Sequence, residues 1–257
     1  AEMYPTYHLE ALKAQAAASY TYYCVQREQE RADPGPDLKG ADFADTLSGL
    51  PRYYSDEELR ERWGEHYDTY RQKIDEAVDA VFGRTITYDG EPILAAYHAI
   101  SSGATEDAAV VWGSSLPYLQ PVASPGDKLS PSYQSTVTFT PEELKEKLAS
   151  VEGCTLGEDP AAWISGEPQT SSSGTVTKIT IGGAELTGTQ LREALGLRSA
   201  CFTVAYGDEG FTFTVLGYGH GVGMSQYGAD YMARQGSDWE EILHYYYKGV
   251  VITEPSA

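Results

Sequence analysis

Apolar positions recur at helical spacing from the start of the chain. Leu9, Leu12, Ala16, Tyr20 and Cys24 (or Tyr23) fall on one face, which predicts a helix over His8–Glu30. Pro, Gly and Asp then mark Asp33–Asp45 as a loop. A second long helix is expected from Ser55. Ser55 and Glu58 have the spacing of a capping box. Leu59, Trp63, Tyr70, Ile74 and Val81 form its apolar face, and Gly83 suits the residue just past its end.

The period then drops to two. Thr85–Tyr88 and Ile93–His98 flank Asp89-Gly90, a hairpin turn signal. Pro121–Asp127 reads as a loop and Thr136–Phe139 as a short strand. Thr140-Pro141-Glu142-Glu143 places a cap, a first-turn proline and an acidic N3 residue at a helix start. Ser, Gly and Pro in residues 158–174 predict a mobile loop. Thr175–Ile181 alternates as a strand turned by Gly182-Gly183, and Leu191–Leu195 predicts a short helix. Phe202–Tyr206 and Phe211–Leu216 form a second hairpin around Gly207–Gly210. Helices near Met224–Arg234 and Asp238–Tyr247 follow, the last capped by Ser237 with Glu240. No repeat of fixed period occurs. Helices interspersed with antiparallel hairpins, without regular strand–helix alternation, define an α+β class. Residues 1–257 are expected to form one domain, mainly antiparallel strands with several helices, in two lobes around a groove.

Composition changes the picture in a few places. A formal net charge of -20, from 18 basic and 38 acidic residues, makes a surface that repels nucleic acid, since phosphate binding needs clustered Lys and Arg, so no nucleic-acid partner is expected. Twenty tyrosines against six phenylalanines suit a wet groove for a polar polymer, or half-buried positions on helices and strands. The three cysteines, Cys24, Cys154 and Cys201, allow one disulfide at most. No apolar run among these residues is long enough to span a membrane, and none is expected to act as a signal peptide. The chain does not begin with Met, so an upstream segment is expected.

The absent motifs narrow the chemistry. H-E-x-x-H, G-x-x-x-x-G-K-[ST] and G-x-S-x-G are missing, and no two of the five histidines have metal-ligand spacing. Three segments remain. In Gly217–Ala229 (GYGHGVGMSQYGA) glycine takes every second position to Gly223. That pattern lets the backbone approach a ligand or a neighbouring strand. His220 stands among the glycines, and Met224–Gln226 leads into a helix whose N–H groups suit an oxyanion or sugar hydroxyl. Tyr97–Glu106 (YHAISSGATE) ends a strand with Ser101 and Ser102, which serve as sugar ligands or as turn and cap residues. Ala1–Tyr23 places Glu2 ahead of Pro5, outside the helix, and Glu10 at the first helical turn, where it also complements the helix dipole.

Taken together these segments resemble the stage II sporulation protein D family, which includes amidase-enhancer proteins. The family's E-M-P element is matched by Glu2-Met3, with Pro5 displaced by Tyr4. Its E-A-L-K-A-Q-A is matched by Glu10–Ala16. Ser101–Glu106 resembles a Ser-Gly-Gly-x-Thr-Glu element, with Ser102 in place of the first glycine. Pro117-Tyr118-Leu119, all of Gly219–Ala229, and Ile242-Leu243 with Tyr246-Tyr247 match further elements in family order. Two departures stand out: Tyr20 lies where members often carry arginine, and the loop around Asp37-Leu38-Lys39 lacks the cysteines that accompany zinc in some members.

The resemblance implies a peptidoglycan lytic transglycosylase of sporulation and engulfment. It would cleave the β-1,4 bond between N-acetylmuramic acid and N-acetylglucosamine in strands stripped of stem peptides by a partner amidase. Glu2 would be the catalytic acid and then base. Lys13, Gln15, Tyr20, Ser101, Ser102, Tyr118, His220, Ser225, Gln226 and Tyr227 would bind sugar or orient Glu2. No cofactor and no metal are expected. The location implied is extracytoplasmic, as the ectodomain of a membrane-anchored protein or a secreted one. The rival reading is a non-catalytic peptidoglycan-binding or amidase-enhancing module. A purely structural secreted domain, with the glycine block serving packing alone, is the third.

Overall fold

The computed structural model describes residues 2–35, 38, 40–42 and 54–254. Part of the loop expected at Asp33–Asp45 lies outside them. In chain order the helices are α1 (Leu9–Ala32), α2 (Asp56–Trp63), α3 (Tyr67–Ala80), α4 (Ala108–Trp112), α5 (Pro141–Lys147), α6 (Gly188–Leu195), α7 (Gln226–Arg234) and α8 (Trp239–Tyr246). The strands are β1 (Thr85–Tyr88), β2 (Glu91–Pro92), β3 (Tyr97–His98), β4 (Gln134–Phe139), β5 (Ile164–Thr170), β6 (Val176–Ile181), β7 (Ala184–Leu186), β8 (Phe202–Gly207), β9 (Gly210–Leu216), β10 (Met224–Ser225) and β11 (Val251–Thr253). The class is α+β. The chain divides into two compact units, residues 1–96 with 229–257, and residues 97–228.

In the first unit α1 is central. Ala11, Ala14, Ala17 and Ala18 are fully buried, and these small residues let α3 and α8 pack close to its axis. The His8 ring caps the helix by accepting from the Glu10 N–H at 3.3 Å. The helix expected from Ser55 begins with the predicted capping box but divides at Gly64, whose φ of 52° ends α2 before α3 starts. β1 is the middle strand of an antiparallel sheet with β11 and β2. Asp89 and Gly90 both have positive φ, as a tight hairpin turn requires. The final helix is capped by Asp238 with Glu241, one residue later than Ser237 and Glu240 predicted.

The second unit is built on two antiparallel three-stranded sheets, β4-β9-β8 and β5-β6-β7. β9 buries alternate side chains, and Phe211, Phe213 and Val215 join Phe139, Leu144, Ile179 and Leu191 in one core. Two expectations are corrected here. The strand predicted at Ile93–His98 joins the hairpin only at its first residue, whose N–H donates to the Ile86 carbonyl at 3.0 Å. Ladder pairing with β1 ends at Pro92, and Tyr97–His98 instead pairs in parallel with Met224–Ser225. The loop predicted at 158–174 contains β5, an exposed edge strand with bulges around Pro168. Edge strands tolerate proline and polar residues, so loop-like composition did not preclude pairing.

Candidate active site

The first unit contains a cavity of 560 Å³. One stripe of α1 lines it: Leu12, Gln15, Ala16, Ser19, Tyr20 and Tyr23, spaced three and four residues apart. The helices α2 and α3 supply Leu59, Trp63, Ile74 and Val78, with Phe82 beyond them. Trp63 packs edge-on to Tyr70 at 5.9 Å, and Tyr20 lies 6.4 Å from Phe82. The wall is therefore mainly aromatic and aliphatic, with amide and hydroxyl groups from Gln15 and Ser19. The Gln15 Nε2 donates to the Ser19 Oγ at 2.9 Å.

Glu2 lines the same cavity and is exposed to water. The Tyr23 phenol, raised to about 12 by burial and then by the Glu2 charge, keeps its proton throughout the physiological range. The segment carrying Glu2 is anchored. Met3 is 7% exposed, and Tyr7 N–H donates to the Tyr4 carbonyl at 3.0 Å. His8 N–H donates to Asp230 Oδ1 at 2.6 Å, and Lys73 Nζ donates to the Tyr7 carbonyl at 2.5 Å. The Lys13 ammonium bonds Glu10 at 2.7 Å, and Glu10 also accepts from the Trp239 N–H at 3.1 Å. Lys13 is thus part of the helix start and is not a lining residue of the cavity.

In the second unit the organising group is Asp127, fully buried in the short turn Pro125–Leu129. Its Oδ2 accepts from the Ser101 N–H at 3.0 Å and from the Ser101 hydroxyl, and its Oδ1 accepts from the Ser225 hydroxyl at 2.7 Å. Burial holds this carboxyl above the usual carboxylate value, against the pull of those bonds and one from Ser124. Ser101 and Ser225 are buried and hold the Asp127 junction together. Ser102 donates to the Ser173 carbonyl at 2.7 Å. Tyr118 is half-buried and Gln226 buried. Tyr227 OH reaches the Leu129 carbonyl at 3.3 Å.

The glycine block adopts left-handed turns in place of an extended strand. A Cβ on Gly217 (φ 78°) would lie 2.7 Å from the Ile100 carbonyl oxygen. One on Gly219 would meet the His98 Cβ at the same distance. At both positions the close approach is to the chain's own Tyr97–Ser101 segment, so packing accounts for these two glycines. The start of α7 is likewise occupied: Tyr227 N–H donates to the Ala99 carbonyl and Gly228 N–H to Ser225 Oγ. His220 accepts from the Val222 N–H at 3.0 Å and lies 5.3 Å from the Trp112 ring. Burial, then the Arg192 charge, pushes it down to about 4, so it is neutral. With Ser101, Ser102 and Glu106 it lines a pocket of only 20 Å³, the size of a single water. Among the described residues no cluster of three His, Cys, Asp or Glu side chains is placed to hold a metal.

The family described as SpoIID, Stage II sporulation protein, matches residues 1–88. Stage II sporulation protein D of Bacillus subtilis (strain 168) is 41% identical over 257 residues, all of this chain and 72% of that protein. The chain belongs to the stage II sporulation protein D family. The Bacillus amyloliquefaciens member is 40% identical over 254 residues, 98% of this chain and 71% of its own length. An amidase enhancer of Bacillus subtilis is 25% identical over 303 residues, with 98% of this chain and 39% of the enhancer covered. Within this family member, Glu2, Gln15 and Tyr20 line one cavity, and Ser101 and Ser225 share one buried carboxylate. Tyr23, Trp63, Phe82 and Asp127 were not singled out by sequence reasoning. The α1 stripe was a signal for Tyr23, which stood as the alternative to Cys24 on the helix face. Asp127 gave none, since its partners come from positions 26 and 98 residues away.

Proposed function

We propose that this protein is a peptidoglycan lytic transglycosylase, with Glu2 as the group that both gives and takes the proton. The supporting observation is Glu2 at a 560 Å³ cavity walled by tyrosine, tryptophan and phenylalanine. Aromatic faces with a few polar groups suit sugar rings, which stack on the apolar side and hydrogen-bond at the edge. The neutral Glu2 carboxyl would protonate the departing glycosidic oxygen. The carboxylate left behind would remove the proton from the muramyl 6-hydroxyl as that oxygen attacks the anomeric carbon. One glycosidic bond breaks, one 1,6-anhydro bond forms, and no water is consumed. One carboxyl suffices because the substrate carries the nucleophile, unlike hydrolases that need two.

The substrate would be glycan strands already stripped of stem peptides, supplied by a cell-wall amidase of sporulation. The protein would then work outside the cytoplasmic membrane. No described helix is long and apolar enough to cross one. The experiment incubates the protein with stripped glycan strands and reads anhydromuramyl ends by mass spectrometry. Wild type is expected to form them and Glu2→Gln to lose at least about a hundredfold in rate. Unchanged activity in Glu2→Gln overturns the assignment. A second reading, a glycan-binding amidase enhancer, is favoured by the neutral Tyr20 at the family's arginine position and by the distant enhancer relative. It predicts strand binding without cleavage in both proteins.

A further inference from the structure

We propose that Asp230, assisted by Arg234, is a positioning residue that sets the place of Glu2 by clamping residues 6–8. This rests on Glu2 acting as proposed above. A carboxyl near a chain end is mobile by default unless something ties the backbone down. Catalysis by proton transfer needs the group within hydrogen-bond reach of the glycosidic oxygen.

The tie is made by three side chains remote in sequence. Asp230 is almost wholly buried. Its Oδ1 accepts from the His8 N–H at 2.6 Å and its Oδ2 from Arg234 Nε at 2.7 Å. Arg234 then extends Nη2 to the Thr6 carbonyl at 3.4 Å. Lys73, from α3, donates to the next carbonyl, Tyr7, at 2.5 Å. One carboxylate and two cations thus hold one N–H and two consecutive carbonyls, all within six residues of Glu2. These bonds fix where α1 begins and the direction in which the chain leaves it. Buried Met3 and the Tyr4–Tyr7 turn carry that constraint to Glu2. The arrangement is more than a helix cap, because His8 already caps α1 with its own ring.

Asp230→Ala removes the acceptor for both His8 and Arg234. Asp230→Asn keeps an oxygen for His8 and tests the share of Arg234. On stripped glycan strands Asp230→Ala is expected to lower kcat about a hundredfold while KM stays within about threefold. Asp230→Asn, which keeps the His8 bond but not the one to Arg234, should lose only about tenfold. Faster hydrogen exchange at residues 6–8, with unchanged exchange in α3, should accompany the loss. Arg234→Ala, at a half-exposed side chain, is expected to fold normally and to lose about tenfold in kcat. It decides the matter if Asp230→Ala fails to fold. A folded Asp230→Ala or Arg234→Ala with wild-type kcat, alongside an inactive Glu2→Gln, overturns the clamp and leaves the catalytic reading standing. An active Glu2→Gln overturns the catalytic reading itself.

Discussion

Buried His98 and its half-buried neighbour His220 should make the second unit acid-labile in a measurable way. His98 donates from Nδ1 to the Val222 carbonyl at 3.1 Å, and its Nε2 has no partner among the described residues. Burial, then the charge of nearby His220, pushes His98 down to about 3. His220 is pushed down to about 4. Both start from an ordinary 6.5, so the unfolded chain binds protons that the folded one refuses. The stability these neutral rings contribute is fully present above pH 6.5. It falls as the pH drops and is gone below the folded values near 4 and 3. Each pH unit in that window costs about 1.4 kcal/mol per histidine. The whole descent costs about 3 kcal/mol for His220 and about 5 kcal/mol for His98, a large part of a domain's ~5–15 kcal/mol. Asn at position 98 keeps the donor to Val222 and removes the titration. Urea unfolding of wild type and His98→Asn is compared at pH 7.5 and 4.5. Wild type is expected to lose about 3 kcal/mol more than the variant over that range. Parallel profiles would refute the neutral, buried state of the ring.

Other substitutions test the two units separately. Asp127→Ala strands the Ser101 N–H and two hydroxyls in a dry interior, and should cost about 3 kcal/mol by urea unfolding. Gly217→Ala sets a Cβ against the Ile100 carbonyl at positive φ, and should cost about 2–4 kcal/mol on the same assay. Trp63→Ala removes an aromatic wall of the cavity, and should weaken binding of stripped strands about tenfold, measured by calorimetry in the Glu2→Gln background. Phe82, 72% exposed, should tolerate serine within about 0.5 kcal/mol of wild-type stability by thermal unfolding.

Local signals translated well where the cause is local. The Ser55–Glu58 and Thr140–Glu143 capping boxes form as their spacing predicts, because each closes within four residues. The Asp89-Gly90 turn and the Phe202–Leu216 hairpin are equally self-contained. Misreadings arose where a distant partner decides. Tyr97–His98 had β-strand patterning, yet its partner lies more than 120 residues on. Residues 164–170 had loop composition, yet β6 offered an edge.

The order of short motifs, from Glu2-Met3 to Tyr246-Tyr247, determined the family, since that information is linear. The same linear information nominated Glu2. What surrounds Glu2 was decided in three dimensions. The aromatic wall comes from α1, α2 and α3, and the anchor of its segment comes from Lys73, Asp230 and Arg234, as far as 228 residues away. Periodicity reports which face of an element is apolar, because that depends on neighbours three or four residues apart. It carries no record of which other element covers that face. The cavity and the clamp are therefore properties of packing, and only the folded chain specifies them.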